Sequence, residues 1–357
     1  MCALPEACSK GRVDRAGETL RDPSGVADVD QEAARALVDK WRLAHSPARE
    51  ECAAQCVIAA KALRLNPLLM QRPKRMEAIV AKLRRNPRME LSRMQDVGGC
   101  RIVVDPPWCV QLLRDQLLAI VGAGEMTLAH DYVANPKTDG YRSVHLIWTS
   151  SSQLVGFVAR PVIEVQIRSG SQHAWATALE TVDLFFAEQL KTGRASKEWS
   201  RFFLLSSVLI AAYEGSPGRP DWPTPDEAAA ELAQLTSTQE TLVKFEGLWV
   251  AINRLKESLN SVPASPFALL QIDSVKRTID YKFFESEAAA ARVYADAEAG
   301  AAGVHGKAVA LVRVQAASSL VDSYPNYFGH LQKFTALMKA LQALPPRQLE
   351  HPAPSSP

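Results

Sequence analysis

Residues 162–168 of this 357-residue chain read Val-Ile-Glu-Val-Gln-Ile-Arg, and this segment is the clearest guide to the architecture. Side chains along a β-strand alternate between two faces. Three apolar side chains therefore share one face: Ile163, Val165 and Ile167. The opposite face carries three polar ones: Glu164, Gln166 and Arg168. The apolar face predicts a strand packed on a core, and core packing does not explain the polar side chains opposite it.

Two more segments have the composition of strands, and helices are predicted around them. Gly98-Gly99 introduces the apolar run Cys100–Val104, which ends at Asp105-Pro106-Pro107, and Ser143–Thr149 is the other run. Apolar residues at three- and four-residue spacing predict the helices. These cover residues 31–65 (with a break at Ser46-Pro47), 73–85, 108–121 and 172–213. The pattern predicts an α+β fold.

Composition shifts divide the chain into four predicted parts. Residues 1–28 lack periodicity and are predicted to be a disordered tail, and residues 29–215 form the main domain. A Pro- and Gly-rich link at 214–225 precedes an accessory domain at 226–344, with a long helix over 226–259 followed by a ββαβα order. Residues 345–357 contain five prolines and are predicted to be a second tail.

The global composition sets limits on location and partners. Apolar residues make up 47% and charged residues 22%, and the formal net charge of +2 implies that any basic site is local. No apolar run has the length that spans a bilayer, and no secretory signal core is visible. We therefore expect a cytoplasmic protein with no membrane segment. The six cysteines form no CxxC pair and no zinc-type cluster, which predicts reduced thiols.

Two segments suggest a site for a triphosphate and a metal. On a helix, Lys74, Ala78 and Lys82 lie at i, i+4 and i+8 on one face, where two ammonium groups suit several phosphate oxygens. A solvated basic helix face is the alternative. Asp96, just before the Gly98-Gly99 turn, has the position of a magnesium ligand, although a capping role would also explain it.

Two further segments suggest a nucleotide acceptor and a second carboxylate. Residues 131–145 combine turn residues with Lys137, Tyr141, Arg142 and His145, so aromatic and basic groups are available to a nucleotide. A loop can carry such residues for solubility alone. Glu164 would supply the second carboxylate, because two carboxylates from neighbouring strands can hold one metal ion and activate a hydroxyl.

Four segments in this order resemble the synthetase domain of the RelA/SpoT family over about residues 30–215. They are RPK with a later Lys at 72–82, D-x-x-G-x-R at 96–101, DYVANPKTDGYRSVH at 131–145 and EVQIRSGSQHAW at 164–175. The stretches GGCRIVV and HAWATALE resemble a stand-alone branch. No His-Asp pair of the family's hydrolase domain is visible.

The resemblance implies a fold and a reaction. The fold would be a mixed five-stranded sheet flanked by helices, distantly similar to nucleotidyltransferases. ATP would donate pyrophosphate with Mg²⁺, and GDP or GTP would accept it on the 3′-hydroxyl to form the (p)ppGpp alarmone. Some small, toxic relatives instead modify tRNA 3′ ends or adenosine nucleotides. A non-catalytic nucleotide sensor is a third hypothesis.

The resemblance also assigns roles to residues of this chain. For ATP, it implies adenine between Arg72 and Arg101 and phosphates on Lys74 and Lys82. For catalysis, it implies Asp96 and Glu164 as Mg²⁺ ligands, with Glu164 also helping to deprotonate the acceptor hydroxyl. For the acceptor, it implies stacking of guanine on Tyr141, lined by Lys137, His145 and Gln166, and the basic loop adds Arg142.

Four positions depart from the family pattern: Ala78, His130, Asp139 and Thr177. None removes a metal ligand or the stacking tyrosine, but they leave the acceptor open between a free nucleotide and tRNA. The accessory domain leaves open a regulatory partner or a homo-oligomer.

Overall fold

The computed structural model describes residues 8–120, 124–185, 197–235, 267–273, 278–301, 307–313 and 331–343. Helices α1 to α10 are Lys10–Arg21, Asp28–Ala44, Ser46–Ala62, Met76–Arg85, Cys109–Leu118, Gly170–Phe185, Lys197–Tyr213, Pro225–Gln234, Glu287–Ala301 and Leu331–Ala343. Strands β1 to β8 are Leu68–Pro73, Gly98–Val103, Gly124–Asp131, Val144–Ser150, Val162–Arg168, Phe267–Asp273, Thr278–Phe284 and Lys307–Arg313. Among the described helices, none is long and apolar enough to cross a membrane.

A mixed five-stranded sheet with the order β1-β2-β5-β4-β3 confirms the predicted fold class. The segment at 162–168 is its central strand, β5. Its three apolar side chains are completely buried, as the alternation predicts: Ile163, Val165 and Ile167. The polar side chains Glu164 and Gln166 are half-buried, so they remain accessible to a ligand.

The strand pattern did not predict β1 or β3, the two edge strands of this sheet. Residues 68–73 carry no clear alternation, and their extended form depends on pairing with β2. The helix expected to begin near Pro73 therefore begins at Met76, after the strand has ended. Lys74 consequently lies between β1 and α4 and not on the helix.

The chain divides into two compact units. The first contains residues 1–102, 112–130 and 145–166, and the second contains residues 103–111, 131–144 and 167–357. The first unit holds most of the sheet and a core of apolar side chains from α1, α2 and α4, including Val38, Trp41, Ile79 and Leu83. The core of the second unit is formed by side chains of α6, α7, α8 and α10 and is rich in aromatic residues. It includes Trp175, Phe202, Phe203, Leu232 and Phe334.

The prediction of a disordered tail over residues 1–28 is wrong for α1. Val13, Ala16 and Gly17 are buried in this helix, and a Cβ atom added to Gly17 would lie 2.8 Å from Cβ of Leu91. Three small buried positions produce no visible apolar periodicity. Helix α1 packs on the following helix α2 and on Leu83 and Leu91, which lie about 70 residues further along the chain, so tertiary contacts and not local sequence stabilise it.

The C-terminal elements follow the predicted ββαβα order within the described residues. Strands β6, β7 and β8 form an antiparallel sheet in the order β7-β6-β8, with Phe267 paired to both Phe284 and Arg313. The last helix, α10, packs against α6 and α7. Most of the long helix predicted over 226–259, and the tail at 345–357, lie outside the described residues. The predicted domain limits remain a prediction.

The cysteines agree with the expectation of reduced thiols as far as the structure describes them. Cys8, Cys52, Cys56, Cys100 and Cys109 are all free. All of these except Cys8 are buried.

A pair of glycine substitutions in α1 tests whether this helix packs as described. Gly17→Ala should lower the free energy of unfolding by about 1–2 kcal/mol, because overpacking against Leu91 outweighs the gain in helix propensity. Gly11→Ala, in the same helix, meets only the far end of Arg15 and should raise it by up to ~1 kcal/mol. Chemical denaturation measures both. Equal effects of the two changes would contradict the packing of α1.

Candidate functional site

Glu164 is the central polar side chain of β5, and both of its carboxylate oxygens are held. His145 Nδ1, from β4, donates to Oε1 at 3.0 Å, and Gln166 Nε2 donates to Oε2 at 2.8 Å. Burial alone would raise the pKa of Glu164. The hydrogen bonds from His145 and Gln166, together with the charges of His145 and Lys74, outweigh burial and lower the pKa to about 2. The carboxylate is therefore ionised at neutral pH.

The Asp96 carboxylate forms ion pairs with two lysines, one at each of its oxygens. Lys74 Nζ lies 2.8 Å from Oδ2, and Lys82 Nζ lies 2.9 Å from Oδ1. The backbone places the first lysine, because Lys74 N donates to the carbonyl of Val97 at 2.8 Å. Burial raises the pKa of Asp96, but the two ammonium charges and their hydrogen bonds outweigh burial and lower it.

The lysines converge for a different reason from the one the sequence suggested. The spacing of residues 74, 78 and 82 implied one helix face, yet Lys74 precedes α4 and Lys82 belongs to it. Lys74 also contributes to the low pKa of Glu164, so its charge acts on both carboxylates. These side chains form a carboxylate–lysine cluster in the first unit: Lys74, Lys82, Asp96, His145, Glu164 and Gln166.

Arg101 joins this cluster from β2. Its Nε donates to Oε1 of Gln166 at 3.3 Å. Arg72 lies on β1, the strand next to β2, but its side chain is outside what the structure describes. The adenine site between Arg72 and Arg101 therefore stays a prediction.

The two carboxylates fit a hard divalent cation in their donor chemistry. Both are ionised and both present oxygen, and Mg²⁺ in nucleotide sites is commonly held by one or two carboxylates plus substrate phosphates. Within the part of the chain that the structure describes, no group of three or more His, Cys, Asp and Glu side chains could hold a metal ion. A cation here would thus depend on phosphate oxygens for the rest of its coordination.

Tyr141 is part of an aromatic–basic cluster in the second unit, formed by Tyr132, Lys137, Tyr141 and Arg168. Lys137 Nζ lies 4.6 Å from the ring centroid of Tyr132 and 5.0 Å from that of Tyr141. Arg168 Nη2 donates to the Tyr141 hydroxyl at 2.8 Å. Tyr132 was not recognised in the sequence as a site residue. For Arg168 the sequence contains one indication of a role in a site, namely its position on the polar face of the strand at 162–168.

The loop that carries Tyr141 depends on two of its own residues. Asp139 Oδ1 accepts a hydrogen bond from Tyr141 N at 2.9 Å. Gly140 has φ of +94°, and a Cβ atom there would lie 3.0 Å from Cβ of Ser207 and 3.2 Å from the ring of Trp175. Both the backbone conformation and the close packing therefore require glycine. Asp139, a departure from the family pattern, stabilises the turn through this hydrogen bond.

A cavity of about 620 Å³ lies next to Tyr141 within the second unit. Its apolar wall contains Trp175, Leu179 and Phe203, and its polar rim contains Lys137, Asp139, Glu180, Lys197 and Arg201. No pattern in the sequence connects α7 with Tyr141. Residues of α6 and α7 reach the cavity because Trp175 Nε1 donates to the carbonyl of Phe203 at 2.8 Å and holds the two helices together.

Three residues predicted to line the acceptor site make hydrogen bonds to other parts of the protein: Arg142, His145 and Gln166. Arg142 is 3% exposed, and its guanidinium donates to the carbonyls of Pro217 at 2.9 Å and Val133 at 3.0 Å. A buried guanidinium that binds backbone carbonyls supports the loop, and a role of Arg142 at the acceptor stays a prediction. His145 and Gln166 contact Glu164, so they belong to the carboxylate–lysine cluster.

Comparison with known proteins finds similarity over part of the chain. Residues 71–183 match the model described as "Region found in RelA / SpoT proteins", which confirms the resemblance for this region. Among its relatives, GTP pyrophosphokinase YjbM of Bacillus subtilis is 31% identical over 140 residues, 36% of this chain and 65% of that protein. GTP pyrophosphokinase of Haemophilus influenzae is 35% identical over 108 residues, 29% of this chain and 12% of that protein.

The match leaves part of each protein uncovered. The chain spans less than two thirds of the length of these relatives. A crystal structure of small alarmone synthetase 1 from Bacillus subtilis bound to its product pppGpp aligns with 48% of this chain and 89% of its own, at 22% identity and a TM-score of 0.41.

The low pKa of Glu164 makes part of the stability dependent on pH. A depressed pKa contributes stability above the ordinary pKa of 4.5, and this is lost as pH falls toward about 2. The difference in unfolding free energy between wild type and Glu164→Gln should therefore shrink from about pH 6 to about pH 3. Urea denaturation across this range measures it. A difference that stays constant would contradict the hydrogen bonding of Glu164.

Proposed function

We propose that this protein transfers pyrophosphate from ATP to the 3′-hydroxyl of GDP or GTP and forms (p)ppGpp. The observation that carries the proposal is the carboxylate–lysine cluster, in which two ionised carboxylates accompany two ammonium groups. The RelA/SpoT region at 71–183 and the relatives named GTP pyrophosphokinase support it. The acceptor is the part of the proposal that most needs a test.

Lys74 and Lys82 are suited to hold the triphosphate of ATP. Both are partly exposed, with side chains 20% and 27% accessible, and both are paired with Asp96. Phosphate oxygens would compete with this carboxylate for the ammonium groups, which releases Asp96 for a cation. Mg²⁺, when bound by Asp96 and Glu164, would neutralise charge on the phosphate oxygens during transfer.

Glu164 is suited to orient the attacking hydroxyl. A carboxylate with a pKa near 2 is a weak base, so early removal of the hydroxyl proton is not its main contribution. It can accept a hydrogen bond from the 3′-hydroxyl, and His145 and Gln166 fix its orientation. Phosphoryl transfer has a loose transition state in which positioning and charge neutralisation matter most, and this arrangement supplies both.

The aromatic–basic cluster and its cavity are suited to a mononucleotide acceptor. About 620 Å³ is within the ordinary range for small-ligand sites, and the Tyr141 ring offers a face for a purine. A tRNA acceptor would need a continuous basic track for several phosphates. Two arginines of the first unit already bind backbone, since Arg84 Nε donates to the carbonyl of Arg21 and the Arg21 guanidinium donates to that of Pro87.

A product assay tests the proposal. The protein is incubated with Mg²⁺ and ATP labelled in the β- and γ-phosphates, and GDP, GTP, ATP or bulk tRNA is offered in turn at low and moderate salt. We expect label on GDP or GTP. Asp96→Asn and Glu164→Gln should each abolish turnover while folding normally, because a neutral amide keeps the shape without the charge. Glu90→Gln, an exposed residue paired with Arg93, is the matched control and should retain activity.

Two outcomes of this assay would contradict the proposal. Label on tRNA, with none on GDP or GTP, would replace the acceptor by an RNA 3′ end. No labelled product with any acceptor, together with measurable nucleotide binding, would favour a non-catalytic sensor.

Substitution of Tyr141 should change the KM for the acceptor and leave the KM for ATP nearly unchanged. Tyr141→Ala should raise the acceptor KM about 5- to 150-fold, since base–aromatic stacking is worth roughly 1–3 kcal/mol, with little change in the KM for ATP. Tyr141→Phe keeps the ring but loses the hydroxyl bonded to Arg168, so it should retain most of the affinity. Tyr213→Ala, at the exposed end of α7, is the control. A selective loss of ATP affinity would show that the two nucleotide sites are reversed.

A further inference from the structure

The cavity beside Tyr141 is supported by helices that lie outside the RelA/SpoT region. That region ends at residue 183, within α6, whereas α8 and α10 come later in the chain. Both later helices contact residues that line the cavity. One side chain of each helix contacts a cavity-lining residue directly, Glu231 of α8 and Phe334 of α10.

Phe334 supports the apolar wall from behind. It is completely buried, and its ring stacks on that of Phe203 with centroids 6.1 Å apart and an interplanar angle of 23°. Phe203 in turn packs edge-to-face against Trp175 at 5.7 Å, and both of these rings line the cavity. A continuous set of aromatic contacts therefore runs from α10 to the surface that a ligand would meet.

Glu231 fixes a cation on the rim. Arg201 Nε lies 2.6 Å from Oε1 of Glu231, and Arg201 Nη2 bonds to Oε2, so the carboxylate holds the guanidinium through two parallel bonds. Two-point contact restrains the plane of the guanidinium, which a single bond would not. Arg201 lines the cavity from α7, so the position of α8 determines where this charge points.

We propose that Phe334 and Glu231 are positioning residues of the acceptor site, through which the C-terminal part of the chain sets acceptor affinity. The proposal rests on the proposed function, because it takes the cavity beside Tyr141 as the acceptor site. Neither residue touches the reacting atoms. Packed aromatic cores transmit small displacements because they do not deform continuously, so a shift of α10 alters the wall at Phe203 and Trp175.

The test of Phe334 compares substitutions in one helix of the full-length protein. Phe334→Ala leaves a cavity behind Phe203 and should raise the KM for GDP or GTP about 5- to 100-fold, with the KM for ATP unchanged, because small misplacements of a binding wall have effects of this size. Phe334→Leu refills most of the space and should restore most of the affinity. Met338→Ala, one turn along α10 and equally buried, reports the cost of weakening the helix in general.

Two readouts separate positioning from simple loss of stability. Thermal melts record the stability of each variant, and assays are run well below the lowest melting temperature. Calorimetric titration with GDP in the absence of ATP measures acceptor binding without turnover. We expect weaker GDP binding in Phe334→Ala than in Met338→Ala. Equal KM values and equal GDP affinities in the two variants would overturn the role of Phe334.

Glu231 is tested in parallel with a matched ion pair. Glu231→Ala should raise the acceptor KM roughly 2- to 5-fold, in keeping with the modest strength of a partly exposed ion pair. Glu90→Ala breaks the exposed pair with Arg93 in the first unit and should leave the acceptor KM unchanged. An unchanged or lowered acceptor KM in Glu231→Ala would overturn its positioning role.

The proposed function and this inference fail in different ways. If the wild type forms no labelled product from any acceptor, the proposed function fails. If the wild type forms product while the variants bind GDP and turn it over like their controls, the function stands and the inference fails.

Discussion

The ion pairing of two partly buried carboxylates is the constraint on which the candidate site depends. The side chains of Asp96 and Glu164 are each 20% exposed, and withdrawal from water at this depth opposes ionisation. Two lysines beside Asp96 outweigh that effect and lower the pKa of this carboxyl. His145 and Gln166 do the same for Glu164. The charges of both carboxylates are thus kept by partners that belong to the same cluster. Removal of one partner would leave an uncompensated charge, so these residues depend on one another.

The sheet explains how partners so far apart in sequence meet. β5 lies at the centre, with β2 on one side and β4 on the other, so Arg101 and His145 reach the polar face of β5 from neighbouring strands. Asp96 precedes β2, and the backbone bond from Lys74 to Val97 ties the end of β1 to the same place. Side chains on a buried sheet have few rotamers available, which holds the cluster with little loss of entropy on binding.

The second unit combines the loop that carries Tyr141 with a support from outside residues 71–183. Gly140 lets the loop pack tightly on α6 and α7, and α10 and α8 stabilise the same two helices from outside. If the cavity beside Tyr141 takes the acceptor, as proposed, the C-terminal segment has a physical route by which it can act on activity. The proposed roles of Phe334 and Glu231 follow from this arrangement.

Local patterns were sufficient for the strand with strong alternation, since residues 162–168 predicted a strand with one polar face. The spacing of Lys74 and Lys82 predicted one helix face, whereas Lys74 lies before α4 and both lysines contact Asp96. Helix α1 was missed because its buried positions are few and small. The surroundings of Arg142 could not be predicted, because a basic residue in a loop has the same sequence pattern whether its guanidinium faces a ligand or a buried carbonyl.

The sequence by itself determined the class of fold and the types of residue available for the chemistry, since both are set by spacing and composition along a few segments. The tertiary structure decided which of these residues share a site. It placed His145 and Gln166 around Glu164, brought Lys74 to Asp96 from outside the helix, and put Phe334 behind the wall of the cavity beside Tyr141. These contacts join residues between 2 and about 130 positions apart, and the balance between burial and charge that fixes their ionisation exists only once the chain has packed.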